Sequence, residues 1–306
     1  MKKSYDIIGD IHGCAEELEA LLLRIGYADM GGIYKHPERQ AIFLGDFIDR
    51  GPNQKGVLDI VRPMIETKEA LAVMGNHEFN AICYATEGEE GYIRPHTNKN
   101  TKQHKAFLDE FPFGSDEHHD VITWFKTLPV YLDLEDIGIV HACWCEKSFK
   151  AIESFLNADK TIFDAAYLEY ANDMSHVYIA LERILKGPEY SLPPEIHFHD
   201  KDGHKRTNCR VRWWKDSHLP TSQRLEFPEA DLTEDQRQSL NSRKIPDVFN
   251  VPEKPTFIGH YWLQGIPKPL SKKVVCVDYS VAKGGTMTAY QWNGENEISE
   301  NNFVSI

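Results

Sequence analysis

No stretch of this chain stays apolar for the roughly 20 residues that a membrane-spanning helix needs, so no membrane segment is expected. Basic residues are not in surplus either. The chain has 34 Lys and Arg against 47 Asp and Glu, a formal net charge of −13. Non-specific nucleic-acid binding works by neutralising phosphates with Lys and Arg, so that class of activity is not expected. A local basic pocket for one phosphate group remains compatible with the count. The six cysteines fall at 14, 83, 143, 145, 209 and 276, without zinc-ribbon spacing, in a chain of 306 residues. They read as reduced thiols rather than as a disulfide framework. Cys143 and Cys145 lie just after a histidine, where a soft ligand pair and packing are both open readings. Lys2 and Lys3 open the chain, but Asp6 and Asp10 interrupt the apolar run behind them, which is not the pattern of a signal peptide. A cytoplasmic protein is the expectation.

The composition that remains is 41% hydrophobic and 26% charged, ordinary for a globular protein. The length suits one large α/β domain with insertions. We expect a single domain over 1–306, with 146–255 as a cap inserted within it. Residues 14–25 carry Leu18, Leu21, Leu22 and Ile25 at helical spacing, and Gly26 closes the run. A second helix is expected from about Gln54 to Glu66, stopping or kinking at Pro63. Residues 87–120 are polar and read as a mobile surface insertion, with a rim over the active site as the functional alternative. Residues 146–186 read as helical, 216–254 as a linker or flap, and 294–306 as a polar tail.

The chemistry gathers where apolar runs end. Ala41 to Leu44 reads as a buried strand, and it runs into Gly45-Asp46-Phe47-Ile48-Asp49-Arg50-Gly51-Pro52. Tyr5 to Ile8 runs into Gly9-Asp10-Ile11-His12-Gly13, and Leu71 to Met74 into Gly75-Asn76-His77-Glu78. Two later strands end in His141 and in Gly259-His260. Loops leaving strands are where open α/β sheets bind ligands. Carboxylates at this density repel unless a cation lies among them. Oxygen ligands mixed with neutral imidazoles suit a divalent metal. Asp10, His12, Asp46, Asn76, His141 and His260 are too many for one such ion, and two ions sharing a carboxylate use the set well.

A further feature lies at 195–214. Asp202-Gly203 between two β-like runs signals a hairpin, and strand alternation puts Arg206, Arg210 and Arg212 on one face and Val211 and Trp213 on the other. A solvated charged face is one reading of these arginines, and a phosphate clamp is the other.

The ordered motifs GD-x-HG, GD-x-x-DRG and GNH-[DE], with two isolated histidines after them, resemble those of the calcineurin-like metallophosphoesterases. The likeness is to the branch holding the phosphoprotein phosphatases and the bacterial diadenosine-tetraphosphatase and polynucleotide-phosphatase relatives. It spans about Tyr5 to Tyr290, with a divergent middle. It implies an α/β fold: a four-layer α/β/β/α sandwich with the metals at one edge and an inserted helical and hairpin cap. It implies that one metal takes Asp10, His12 and the bridging Asp46, and that the second takes Asp46, Asn76, His141 and His260. Manganese is the first choice, with iron, zinc, nickel and cobalt as alternatives. The implied reaction is phosphoester hydrolysis by a metal-bridging hydroxide. Arg50 and a second arginine (Arg212 first, Arg210 second) would bind phosphoryl oxygens. His77 would protonate the leaving oxygen, and Asp49 would orient it.

The phosphorylated substrate could be a phosphoprotein, a nucleotide or a small phosphoester. A serine/threonine-type or general phosphatase is the leading expectation, and a diadenosine tetraphosphate hydrolase is its alternative. A non-catalytic metal-binding scaffold and a nuclease of the same superfamily are the competing classes. Two departures from the family pattern put the substrate in question: Ala142-Cys143-Trp144 comes after His141, and Tyr261-Trp262 after His260. Asp278 could be a partner of His260 or a structural residue of its hairpin.

Overall fold

The computed structural model describes residues 4–199, 205–227, 232–245, 249 and 251–306. Two sheets form the centre. The first runs in the order Phe303–Ser305, Thr288–Trp292, Ser4–Ile8, Arg39–Phe43, Ala70–Ala72. The second runs Val274–Cys276, Thr256–Ile258, Gly138–Val140, Tyr131–Asp133. Alternation along the strands explains why they stack. Tyr5, Ile7, Ile42 and Leu44 of the first sheet and its margins meet Ile137, Ile139, Phe257, Val275 and Val277 of the second in one buried cluster. Their neighbours Ile8, Ala41 and Phe43 point the other way, into a larger cluster shared with helices. Successive side chains of a strand face opposite sides, so a strand apolar at every position is covered on both faces. The result is the expected helix–sheet–sheet–helix sandwich.

Helix Ala15–Arg24 buries Leu18, Leu21 and Leu22, and helix Gln54–Glu66 buries Val57, Leu58, Val61 and Met64. The second is capped by Asn53, whose side chain accepts from the Gly56 amide at 2.8 Å. It passes through Pro63 and runs on to Glu66. No helix among the described residues is long and apolar enough to cross a membrane.

Register decides where the loops begin. Ile8 pairs with Phe43, and Phe43 with Ala72, in parallel. Ile139, Phe257 and Val275 are level in the second sheet, also in parallel. Parallel strands ending together send their loops to one edge, and all five loops carrying the expected ligands start there.

Three expectations are corrected. Residues 87–120 are folded rather than a mobile insertion: helices Asn98–Gln103, Lys105–Glu110 and Asp116–Phe125 pack there through Phe107, Phe111, Val121 and Phe125. The polar tail supplies an edge strand, Phe303–Ser305, antiparallel to Thr288–Trp292. The arginines at 206, 210 and 212 do not share one strand. Phe198–His199 pairs with Lys205–Arg206 as a hairpin, whose Asp-Gly tip lies outside the described residues, whereas Asn208–Arg210 pairs with Glu189–Ser191. Within 146–186 the helices are Glu146–Ala151, Asp164–Tyr170 and His176–Lys186. Within 216–254, the stretch read as a linker or flap, the described residues include helices Thr221–Arg224 and Glu234–Asn241.

Candidate metal centre

The loops are locked to one another by their backbones. Ile11 and His12 donate to the Asp46 carbonyl at 3.0 and 2.8 Å, Gly13 to the Phe47 carbonyl at 2.8 Å, and Gly51 to the His12 carbonyl at 2.8 Å. Glu78 completes the lock from the helix Asn76–Ala85. Its carboxylate accepts from the amides of Asp46, Phe47 and Gly75 at 2.8, 2.8 and 2.9 Å. So tight an approach needs glycine: a Cβ on Gly75 would lie 2.3 Å from both the Asp46 amide and its Oδ1, and one on Gly259 would lie 2.1 Å from Asp10 Oδ1. Six non-glycine residues of the site sit at positive φ: His12 at 48°, Asp46 at 51°, Asp49 at 71°, Arg50 at 72°, His260 at 70° and Trp262 at 50°. Such backbone costs on the order of 1–3 kcal/mol each and persists only where the surroundings over-determine it. Strain concentrated in these loops is a signature of a site rather than of simple turns.

Asp46 is the pivot. Its Oδ1 accepts from the His77 amide at 2.8 Å. Its Oδ2 is buried and has no hydrogen-bond partner. Around that oxygen stand His141 Nε2 at 3.4 Å, His12 Nε2 at 3.6 Å and His77 Nε2 at 4.0 Å. Donor atoms of His12, Asp46 and His77, and of Asp46, His141 and His260, lie within 4.8 Å of one another, so two candidate groups share Asp46. Asn76 Oδ1 lies 3.2 Å from His141 Nε2 and 2.7 Å from His260 Nδ1. Asp10 Oδ2 lies 3.9 Å from His12 Nε2, and both Asp10 oxygens accept from the His260 amide at 3.1 Å.

Tautomers are prepared by the backbone. His12 Nδ1 donates to the Ile48 carbonyl at 2.9 Å and His141 Nδ1 to the Leu44 carbonyl at 2.6 Å, which leaves both Nε2 atoms free to ligate. Burial, helped by the Arg50 charge, pulls His12 down to about 3, so it stands neutral. Burial also raises Asp10 well above the usual carboxylate range, with Asp278 and Asp46 adding to the push. A buried oxygen without a partner, imidazole nitrogens around it and crowded carboxylates are what a divalent cation relieves. The residues present therefore fit a two-ion centre. All six cysteines are buried and unbridged, and none belongs to the candidate metal groups among the described residues.

Beside these candidate ligands lies a second constellation. His77 Nδ1 is 2.6 Å from Asp49 Oδ2. Arg50 reaches both imidazoles, with Nη1 3.0 Å from His12 Nε2 and Nη2 3.2 Å from His77 Nε2. Its guanidinium carbon lies 3.6 Å from the Trp262 ring centroid. Asp278 accepts from the amides of Trp262 at 2.7 Å and Ser280 at 3.0 Å, so it ties the His260 loop to the next hairpin. Of the two late arginines, Arg210 reaches the centre, with Nη2 3.3 Å from His260 Nε2. Arg212 donates its backbone amide to the Arg224 carbonyl at 2.7 Å, and among the described residues its side chain makes no hydrogen bond or ion pair with the site. The structure thus brings Arg210 to the candidate ligands.

One residue was missed. His104 is buried, and its Nδ1 lies 3.0 and 3.3 Å from the two oxygens of Asp49. Asp49 thus holds two imidazoles. Burial works to raise its pKa, but hydrogen bonds from His104 and then His77 outweigh that and hold it below the usual carboxylate range. Sequence reasoning passed His104 by because it sits in the polar insertion. Its spacing to the buried Phe107 and Phe111 was the available signal.

A model of the calcineurin-like phosphoesterases matches residues 4–248. His260 and Asp278 lie beyond that match, and the structure brings both into the same centre. The asymmetrical bis(5'-nucleosyl)-tetraphosphatase PrpE of Oceanobacillus iheyensis is 34% identical over 138 residues, covering 45% of this chain and 54% of the relative. That of Halalkalibacterium halodurans is 46% identical over 145 residues, covering 45% and 56%. The chain thus spans about half the length of the curated relatives it matches. Among solved structures, a protein serine/threonine phosphatase from Saccharomyces cerevisiae is similar over 99% of this chain and 79% of that one, at 14% identity and a TM-score of 0.50. That likeness concerns the fold.

Proposed function

Because the chain belongs to the calcineurin-like phosphoesterases, we propose that it is a metal-dependent phosphoester hydrolase, with dinucleoside polyphosphates ahead of phosphoproteins as its substrates. The observation that carries the chemistry is the buried, partnerless Oδ2 of Asp46 among three imidazoles. Asp10, His12 and Asp46 would hold one divalent ion, and Asp46, Asn76, His141 and His260 the other, with manganese as first choice. Bound there, the ions supply Lewis acidity and a water acidic enough to ionise near neutral pH.

The chain's own residues do the rest. Arg50, stacked on Trp262, offers its guanidinium to the phosphoryl oxygens as charge grows on them. His77, fixed through Nδ1 by Asp49, presents Nε2 toward the reacting group and gives its proton to the leaving oxygen. The water oxygen bonds to phosphorus as the phosphorus–leaving-group bond breaks. An ion-binding scaffold would have no use for the His77–Asp49 pair or for Arg50 beside it. The substrate preference rests on the names of the PrpE relatives and on the lysines and arginines that wall the cavity over Arg50 and His77.

The test is a substrate panel with metal-stripped, manganese-reloaded protein: 4-nitrophenyl phosphate, phosphopeptides, diadenosine tetraphosphate and bis-4-nitrophenyl phosphate. We expect turnover of the dinucleotide above the phosphopeptides, and its loss in Asp46→Asn together with the bound metal. Turnover that survives Asp46→Asn, or a fully loaded protein that hydrolyses none of the four, refutes the reading.

A further inference from the structure

A cavity of about 770 Å³ opens over Asp49, Arg50, Asn76 and His77, far larger than one phosphoryl group requires. The folded insertion at 94–109 supplies much of its lining, together with Lys186 and Lys283. The chain is acidic overall, at −13, yet this lining carries Arg94, Lys99, Lys102, Lys105, Lys186 and Lys283. Three of the six are engaged. Lys105 pairs with Asp109 at 2.6 Å, Lys186 pairs with Glu182, and Arg94 donates to Asn80 and Gln103 at 3.1 and 2.9 Å. Lys99, Lys102 and Lys283 have no acidic partner among the described residues. The lining also holds the carboxylates Asp49 and Asp109, but Asp49 is taken up by His77 and His104 and Asp109 by Lys105. Positive charge therefore predominates, and a concave site dominated by one sign of charge concentrates ligands of the other.

What the cavity lacks is equally informative. A nucleobase is usually held on an open aromatic face. The aromatic rings lining the cavity are His77, His104 and Trp262. Both histidines are buried and committed to Asp49. Trp262 has Arg50 at 3.6 Å from its ring centroid and the Lys283 ammonium at 4.2 Å. The one aliphatic lining residue is Ala106.

We propose that this cavity takes its substrate by a chain of anhydride-linked phosphates and is indifferent to the base, with Lys99, Lys102 and Lys283 meeting the phosphates beyond the one under attack. The inference rests on the hydrolase reading and deepens it by naming what the site recognises. The hydrolysis is balanced: water oxygen bonds to phosphorus, the bridging P–O bond breaks, and the leaving phosphate chain takes the proton.

The experiment compares kcat/KM at fixed metal and salt for 4-nitrophenyl phosphate, inorganic tripolyphosphate, and diphosphate to tetraphosphate dinucleotides carrying adenine, guanine or uracil. We expect kcat/KM to rise about tenfold or more from the shortest to the longest chain. Changing the base should move it less than about threefold, and tripolyphosphate should be turned over as a dinucleotide of equal length is. In the folded triple variant Lys99→Ala, Lys102→Ala, Lys283→Ala, the ratio of tetraphosphate to 4-nitrophenyl phosphate kcat/KM should fall about tenfold, mainly through KM. Raising the salt should lower the same ratio in the parent protein. Base discrimination above tenfold, inert tripolyphosphate beside active dinucleotides, or an unchanged ratio in the variant overturns the proposal. Each of those outcomes leaves the hydrolase reading intact, whereas inertness toward every compound refutes the hydrolase reading itself.

Discussion

Replacing His104 by Phe isolates the part of the site that no motif announces. The ring stays in place: His104 stacks on Phe107 with centroids 4.9 Å apart and planes 24° from parallel, and Phe preserves that contact. What disappears is the N–H that meets Asp49 at 3.0 Å. A hydrogen bond to a buried charged group contributes about 1.5–3 kcal/mol. If all of it served to fix Asp49, and through Asp49 the orientation of His77, the loss would be about 10- to 150-fold at 1.36 kcal/mol per decade. Part of the bond is already felt in the resting protein, so the effect on turnover should fall toward the lower end. It should also depend on the leaving group. 4-Nitrophenolate departs with little help, whereas phenolate needs a proton. We expect kcat to fall about tenfold or more for phenyl phosphate and only a few-fold for 4-nitrophenyl phosphate, with metal content unchanged. His104→Asn, whose amide can take the place of Nδ1, should recover part of the difference. Equal losses on both esters, or no loss on either in a folded protein, would refute the claim that His104 positions His77 through Asp49.

Two further perturbations test the neighbouring groups. Trp262→Ala removes the face on which Arg50 rests at 3.6 Å. Arg50 is exposed and Trp262 half-buried, and a cation–π contact at an exposed site is worth about 0.5–1 kcal/mol. Steady-state kcat/KM should therefore fall about two- to fivefold on every phosphoester, with Trp262→Phe intermediate, and an unchanged value would sink the role given to the stack. In metal-stripped protein, burial works to lower His141, but the Asp46 charge overrides it and the pKa stands at about 10. A pKa above the unfolded value of about 6.5 means stabilisation complete below about pH 6.5 and lost as pH rises through about 10. The stripped protein should therefore melt at progressively lower temperature across that window. Metal uptake, which must displace the proton, should tighten with pH and release protons detectable by calorimetry in buffers of different ionisation enthalpy. Buffer-independent heats would contradict this.

The candidate metal ligands were legible in the sequence as a cluster because their geometry is local. Each is carried by a short apolar strand that ends in a turn, most often opened by glycine, and parallel register then brings the turns to one edge without further instruction. Asp10, His12, Asp46 and Asn76 could be named from their motifs, and the structure gathers them. Arg210 and Arg212 were not separable in that way. Alternation assigns both to one face, and only the pairing of Asn208–Arg210 with Glu189–Ser191, on a separate strand, sends Arg210 to His260. The insertion failed for a related reason. Its exposed face is polar, and polarity was read as mobility. Yet His104, Phe107 and Phe111 recur at i, i+3 and i+7 and are all buried, which is the pattern of a packed helical face.

The insertion bears on function, because it does two things at once. Its buried face sends His104 to Asp49, which also holds His77, the proposed proton donor, while its exposed face turns Lys99 and Lys102 toward the cavity. Under the proposed reading, one short folded segment would join the group that protonates the leaving oxygen to the wall that recognises what is attached to it. A change in the insertion's packing should therefore shift leaving-group dependence and chain-length preference together. A change confined to Lys99 or Lys102 should shift chain-length preference alone. Their separation by mutation is what distinguishes a specificity wall built onto the catalytic pair from one that merely lies near it.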